Sequence, residues 1–169
     1  MIGKEELRNR VIELGAQISK DYKGKSILAI CVLKGAVLFM SDLIREINVE
    51  TKIDFMAVTS YGASTKSTGV VRILKDLDSN IEGENVLIVE DIIDSGLTLK
   101  YLKDYLMARN PKSLKICTLL DKPGRREADV QPDYIGFTIE NKYIVGYGLD
   151  YNQMYRNLPY ISYLEEENE

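Results

Sequence analysis

The chain has no histidine among its 169 residues. This excludes Ser-His-Asp and Cys-His nucleophilic catalysis and any zinc centre with imidazole ligands, and it leaves proton transfer to Asp, Glu, Lys or Tyr. Cysteine is scarce as well. Cys31 and Cys117 lie in the apolar runs LAICVL (28–33) and ICTLL (116–120), where a thiol acts as a small hydrophobe, so both are expected reduced and in the core. No apolar run reaches the roughly 18 residues of a membrane-spanning helix, and a start containing Lys4, Glu5, Glu6 and Arg8 lacks the signal-peptide pattern. A cytoplasmic protein without a membrane partner is expected. Basic excess is missing too: 22 Lys and Arg face 26 Asp and Glu, for a net charge of -4. That balance argues against a nucleic-acid surface, whereas a small anionic ligand needs only local cations. Neither Gly-x-x-x-x-Gly-Lys-Ser/Thr nor Gly-x-Gly-x-x-Gly occurs, so the usual nucleoside-triphosphate and dinucleotide motifs are absent. No internal repeat or low-complexity linker divides the chain, and its length suits one domain with a substantial core.

What is present begins with Leu7, Val11, Leu14 and Ile18 at helical spacing, which predicts an amphipathic helix over residues 4–20. Short apolar runs follow at 27–33, 53–60, 86–89 and 114–120, with helical stretches near 36–46 and 98–108. Such alternation predicts an α/β fold with a parallel sheet flanked by helices. Asn110-Pro111 is expected to close the later helix, because a residue before proline is driven from helical geometry. The polar segment SYGASTKSTG (60–69) holds few apolar residues to anchor it. It fits either a mobile loop or a plain hairpin tip leading to VVRIL (70–74).

The chemistry concentrates in VLIVEDIIDSGLT (86–98), a buried strand that ends in acids and a small-residue turn opening a helix. Ligands of open parallel sheets bind at the carboxyl ends of strands. Asp94, Ser95, Gly96 and Thr98 would surround a helix N-terminus, whose unpaired N–H groups and dipole suit a phosphate. Three carboxylates within five residues repel one another unless they hold hydroxyls or a hard cation, so Glu90 and Asp91 point to a ribose diol or Mg²⁺. On spacing alone, a capped helix with solvated acids fits equally well.

The same stretch resembles the phosphoribosyl-pyrophosphate motif of the type I phosphoribosyltransferases, in particular the bacterial hypoxanthine-guanine phosphoribosyltransferases. Four further segments resemble that family in the right order: LKGA (33–36), SYG (60–62), DKPGRR (121–126) and KYIVGYGLDY (142–151). The resemblance spans nearly the whole chain. It implies a sheet core, a small hood built from N- and C-terminal segments, and a mobile lid loop. The implied activity is purine salvage: transfer of ribose 5-phosphate from phosphoribosyl pyrophosphate to hypoxanthine, and to guanine, with Mg²⁺. A homodimer or homotetramer is implied likewise. A xanthine-preferring relative and an RNA-binding attenuator of pyrimidine genes share the fold, and the acidic balance speaks against the latter.

By that resemblance Asp94 is the general base at purine N7, and Glu90 and Asp91 hold the ribose hydroxyls directly or through Mg²⁺. Ser95, Gly96, Leu97 and Thr98 cradle the phosphate. Lys34 and Gly35 form the pyrophosphate loop, with a cis peptide between Leu33 and Lys34, and Arg156 adds a second cation. Asp150 ligates a second Mg²⁺, and Arg126 approaches the phosphate end. Ser60 and Tyr61 sit at the lid tip. Lys122 donates to the 6-oxo group, Tyr143 stacks on the purine, and Ile144 offers its backbone to the base edge. Two positions depart from the family pattern. Ala36 stands where Gly is common, which is costly if that position needs positive φ. Tyr143 replaces the usual Phe, after Glu140-Asn-Lys in place of Pro-Asp.

Overall fold

The computed structural model describes residues 1–60 and 71–164. Helix α1 (Lys4–Asp21) precedes strand β1 (Ile27–Leu33), α2 (Val37–Glu46), β2 (Thr51–Ser60), β3 (Val71–Lys75), β4 (Asn85–Ile93), α3 (Leu97–Met107), β5 (Ser113–Asp121) and β6 (Tyr134–Thr138). Two very short strands, β7 (Ile144–Val145) and β8 (Ser162–Tyr163), follow among the described residues. Six strands form one sheet in the order β3-β2-β1-β4-β5-β6. All neighbours run parallel except β2 and β3, an antiparallel edge hairpin closing on the Ser60–Val71 pair. A parallel sheet carrying one antiparallel edge is a common arrangement.

Strand periodicity divides the core. Along β1, Leu28, Ile30 and Val32 face one side and pack with Leu99, Leu102 and Leu106 of α3. Ala29 and Cys31 face the other and pack with Leu7, Val11, Leu14 and Ile18 of α1 and Phe39 and Leu43 of α2. Strands covered on both faces read as continuous apolar runs, which β1 does along its length and β4 does over residues 86–89. Both thiols are free and buried.

Beyond β6 the chain builds a hood. Strands β7 and β8 pair with each other, and Ile2 bridges Ile161 through two backbone hydrogen bonds of 2.9 and 3.0 Å, so the two ends of the described chain meet there. Ile144, Tyr147, Leu149 and Ile161 join the same apolar cluster as α1 and α2, and this welds hood to sheet.

Several expectations shift in detail. Helix α3 stops at Met107, and Asn110 takes a left-handed φ of 55° ahead of Pro111. Strand β4 continues through both acids to Ile93, because its pairing with β5 persists to the register Ile93–Asp121. Ala36 has φ -74°, so no positive φ is required of it. No helix among the described residues is long and apolar enough to cross a membrane.

Candidate active site

The carboxyl ends of β1 and β4, where the parallel strands stop and their following turns begin, form the floor of a cavity of about 420 Å³. Lys34, Gly35, Glu90, Asp91, Thr98, Asp150 and Arg156 line it together with Val32, Leu33 and Val58. The Leu33–Lys34 peptide is cis. Contact around the loop is close. A Cβ on Gly35 would lie 1.6 Å from Asp91 Oδ2, and one on Gly148, at φ 101°, would lie 2.0 Å from the Gly35 carbonyl oxygen. Asp91, Gly35 and Gly148 are therefore stacked, which sets the hood directly against the loop and the loop against the acids.

Electrostatics in the cavity are unbalanced. Glu90 Oε2 is buried without a partner among the described residues, and burial, reinforced by Asp91, pushes its carboxyl well above the usual range. Asp91 accepts the Ile92 N–H at 2.7 Å, yet burial still pushes it up to about 6, with Asp150 adding to the rise and Arg156 opposing it. On the opposite wall Asp150 pairs with Arg156 at 2.7 Å and accepts the Gln153 N–H at 2.8 Å. Arg156 also donates to the Gly148 carbonyl at 2.7 Å, and Lys34 donates to Gln153 Oε1 at 3.4 Å. Buried carboxylates short of donors, facing two cations, suit a hard cation and an anionic ligand together. Among the described residues no three acids converge into a complete metal shell. An ion there would need ligand oxygens or water to finish its coordination, as Mg²⁺ commonly does.

Beside the cavity, α3 opens at Gly96, whose φ of 81° gives a left-handed entry, and Ser95 Oγ accepts the Leu97 N–H at 3.4 Å. Val130 and Arg126 crowd the space a side chain at Gly96 would need. The first turn of α3 thus directs free N–H groups toward the end of the sheet.

A second group lies along the end of β5. Lys122 is buried, donates to the Lys142 carbonyl at 2.9 Å, and has its ammonium pKa lowered by burial, against the pull of Asp94. Tyr143 follows Lys142 and is 69% exposed, while Ile144 is buried. Arg126 is held by Asp121 and by the Asp94 carbonyl. Asp94 pairs with Arg125 at 2.9 Å. The residues singled out from sequence therefore fall into a cation-and-carboxylate cavity and a Lys122–Asp94–Tyr143 flank. Ser60 ends β2, and Tyr61 lies outside the described residues.

The protein-family model of phosphoribosyl transferase domains matches residues 3–152. The chain belongs to that family. Among the phosphoribosyltransferases it is 54% identical to the hypoxanthine-guanine phosphoribosyltransferase of Mycobacterium bovis, over 98% of this chain and 85% of the relative. It is 53% identical to that of Bacillus subtilis, over 98% and 92%. Its fold is similar to a hypoxanthine phosphoribosyltransferase from Staphylococcus aureus (TM-score 0.95, 51% identity, 98% and 90% covered). A hypoxanthine-guanine phosphoribosyltransferase from Bacillus anthracis, solved with HEPES in its active site, is equally close (TM-score 0.94, 52% identity, 98% and 97% covered).

Within this phosphoribosyltransferase, sequence reasoning passed over Arg125, Gln153, Gly148 and Asp121. Arg125 and Asp121 stand inside the recognised DKPGRR segment, and Gly148 inside KYIVGYGLDY; Arg125 and Gly148 meet partners far away along the chain, Asp94 and Gly35, whereas Asp121 holds Arg126 of its own segment. Only Gln153 lies outside every recognised segment.

Proposed function

We propose that this chain transfers the ribose 5-phosphate of phosphoribosyl pyrophosphate to hypoxanthine and guanine. The bond between C1′ and the pyrophosphate oxygen breaks, and a bond from purine N9 to C1′ forms. One observation carries this reading: a buried ammonium, Lys122, and a carboxylate, Asp94, flank one end of the sheet beside a cavity that faces cations against carboxylates.

Lys122 spends one proton on the Lys142 carbonyl. Its remaining donors suit the 6-oxo group of hypoxanthine or guanine and leave the 6-amino group of adenine facing another donor. Sites built around a hydrogen bond reject the wrong partner strongly. Tyr143, exposed in the free protein, offers its ring for stacking, and Ile144 its backbone to the base edge. Asp94 takes up the proton that the base loses at N7; positioned proton transfer of this kind contributes about 10² to 10⁴ in rate. The α3 entry, with Ser95, Gly96, Leu97 and Thr98, suits the 5-phosphate, and Lys34 with Gly35 and Arg156 the pyrophosphate. Glu90 and Asp91 would hold one Mg²⁺ and Asp150 a second, each shared with substrate oxygens. Bound there, Mg²⁺ would offset the negative charge that grows on pyrophosphate as it departs.

The cytoplasm is the proposed location, which the two buried, unpaired cysteines support. A homodimer or homotetramer is proposed as well. Its support is the exposure of Val37 and Leu38 at the start of α2, directly after the Lys34 loop. Initial rates with phosphoribosyl pyrophosphate and Mg²⁺, offering hypoxanthine, guanine, xanthine, adenine and uracil separately, test the reaction. Turnover confined to hypoxanthine and guanine is expected. Dominant xanthine use would relocate the specificity to the hood around Tyr143, and no turnover with any base would overturn the reading.

A further inference from the structure

The loop after β5 brackets the Asp94 turn from both sides. Lys122 N donates to the Ile93 carbonyl at 3.0 Å, and the N–H groups of Glu127 and Ala128 donate to the Ser95 carbonyl at 2.8 and 3.0 Å. Between them Arg126 Nη1 donates to the Asp94 carbonyl at 3.2 Å. The backbone of residues 93–95 is thereby fixed without help from Arg125. Arg125 ends the single 3₁₀ turn Pro123–Arg125, where its N–H bonds the Lys122 carbonyl at 3.1 Å. Its side chain makes one hydrogen bond among the described residues, Nε to Asp94 Oδ1 at 2.9 Å, and the other oxygen of Asp94 has no partner among them.

This pair sits in water, with the Arg125 and Asp94 side chains 47% and 44% exposed. Exposed pairs of this kind add little to stability. What the bond does accomplish is geometric: a short, freely rotating carboxylate is held by one oxygen, and the other is left to a ligand.

We propose that Arg125 is a positioning residue for Asp94, holding Oδ1 so that Oδ2 faces the imidazole N–H of the bound purine. The proposal rests on Asp94 being the proton acceptor. Misorientation of a reacting group is costly in rate even when binding is unchanged.

The test is a double-mutant cycle read in single-turnover rates of nucleotide formation, so that product release does not mask the chemical step. Arg125→Ala is expected to slow that step about 5- to 20-fold while the KM values for both substrates move less than about 2-fold. Arg125→Met, whose stem reaches the position of Nε and carries no donor there, is expected to lose a similar factor, and Arg125→Lys to recover part of it. In an Asp94→Asn background, removing Arg125 is expected to cost nothing further. An equal loss in both backgrounds, or an unchanged rate in Arg125→Ala, would overturn the positioning role while leaving the Asp94 assignment standing. Should Asp94→Asn alone leave the rate unchanged, the acceptor reading itself would fall, and Arg125 would have nothing to position.

Discussion

At the scale of single residues, two ionisable groups carry opposite consequences of burial. Lys122 has its ammonium pKa lowered because the surrounding protein disfavours charge, and an acceptor offered by a bound base would favour the charged form again. Lys122→Ala is expected to lower kcat/KM for hypoxanthine about 100-fold, with the dissociation constant of phosphoribosyl pyrophosphate changed less than about 3-fold. Initial rates and calorimetric titration separate the two; equal losses would show that Lys122 does not divide base from phosphate. Asp91 is raised from 3.8 to about 6, first by burial. Between these values the folded state holds a proton on Asp91 that the unfolded chain has lost, so the contribution of Asp91 to stability falls as pH rises through that window, against the opposite contributions of Asp21 and Asp76. Chemical denaturation of the free protein from pH 4 to pH 7 should show this fall, and Asp91→Asn should flatten it. A slope unchanged by Asp91→Asn would place the titration elsewhere, with Glu90 the first candidate.

At the scale of elements, the site is assembled by three turns: after β1, after β4 and after β5. The long periodic pieces were legible in sequence. Leu7, Val11, Leu14 and Ile18 locate α1 to within one residue of its end, and the apolar runs locate β1 and β5. Strand β6 was not read, because YIGFT is a short edge strand interrupted by glycine with a mixed burial pattern. Strands β7 and β8, at two residues each, are too short to show any period. The phosphate turn could be argued from its acids and small residues, whereas the role of Lys122 came only through family resemblance, since a basic turn after a strand looks ordinary. Arg125 illustrates the remainder: its meaning depends on Asp94, 31 positions away, brought close only when β4 and β5 pair. The contact between hood and loop is similar in kind. Gly148→Ala adds a Cβ where the Gly35 carbonyl already sits, at a φ unfavourable to any side chain, so about 1–3 kcal/mol of destabilisation is expected. Because Gly35 lies on Asp91, the affinity for phosphoribosyl pyrophosphate should fall more than that for the base. Urea titration and calorimetry measure both, and a loss confined to the base would break the link between hood and loop.

At the scale of the whole molecule, the apolar cluster beneath α1 and α2 does not stop at the sheet. It continues through Ile144, Tyr147 and Leu149 to Ile161, which is 2% exposed and bonded through its backbone to Ile2. A hood built on its own small core would open independently of the sheet. One that shares the main core cannot do so without exposing Leu7 and its neighbours, since cooperative units follow shared burial. Ile161→Ala removes buried side-chain volume at a residue that is not itself assigned to the substrates, and a cost of about 2–4 kcal/mol is expected for such a truncation. If hood and sheet are one unit, that cost should move the entire urea transition, with far-ultraviolet circular dichroism and tyrosine fluorescence still coinciding. The tyrosines make the comparison informative, because Tyr143, Tyr147, Tyr151, Tyr155, Tyr160 and Tyr163 all lie in the hood segment, while the helices that dominate the dichroism lie in the core. A tyrosine signal that melts first, ahead of an unmoved helical transition, would show instead that the hood is a separate unit resting on the sheet. The close seat of Gly148 against the Lys34 loop would then have to form anew each time the hood closed over a purine.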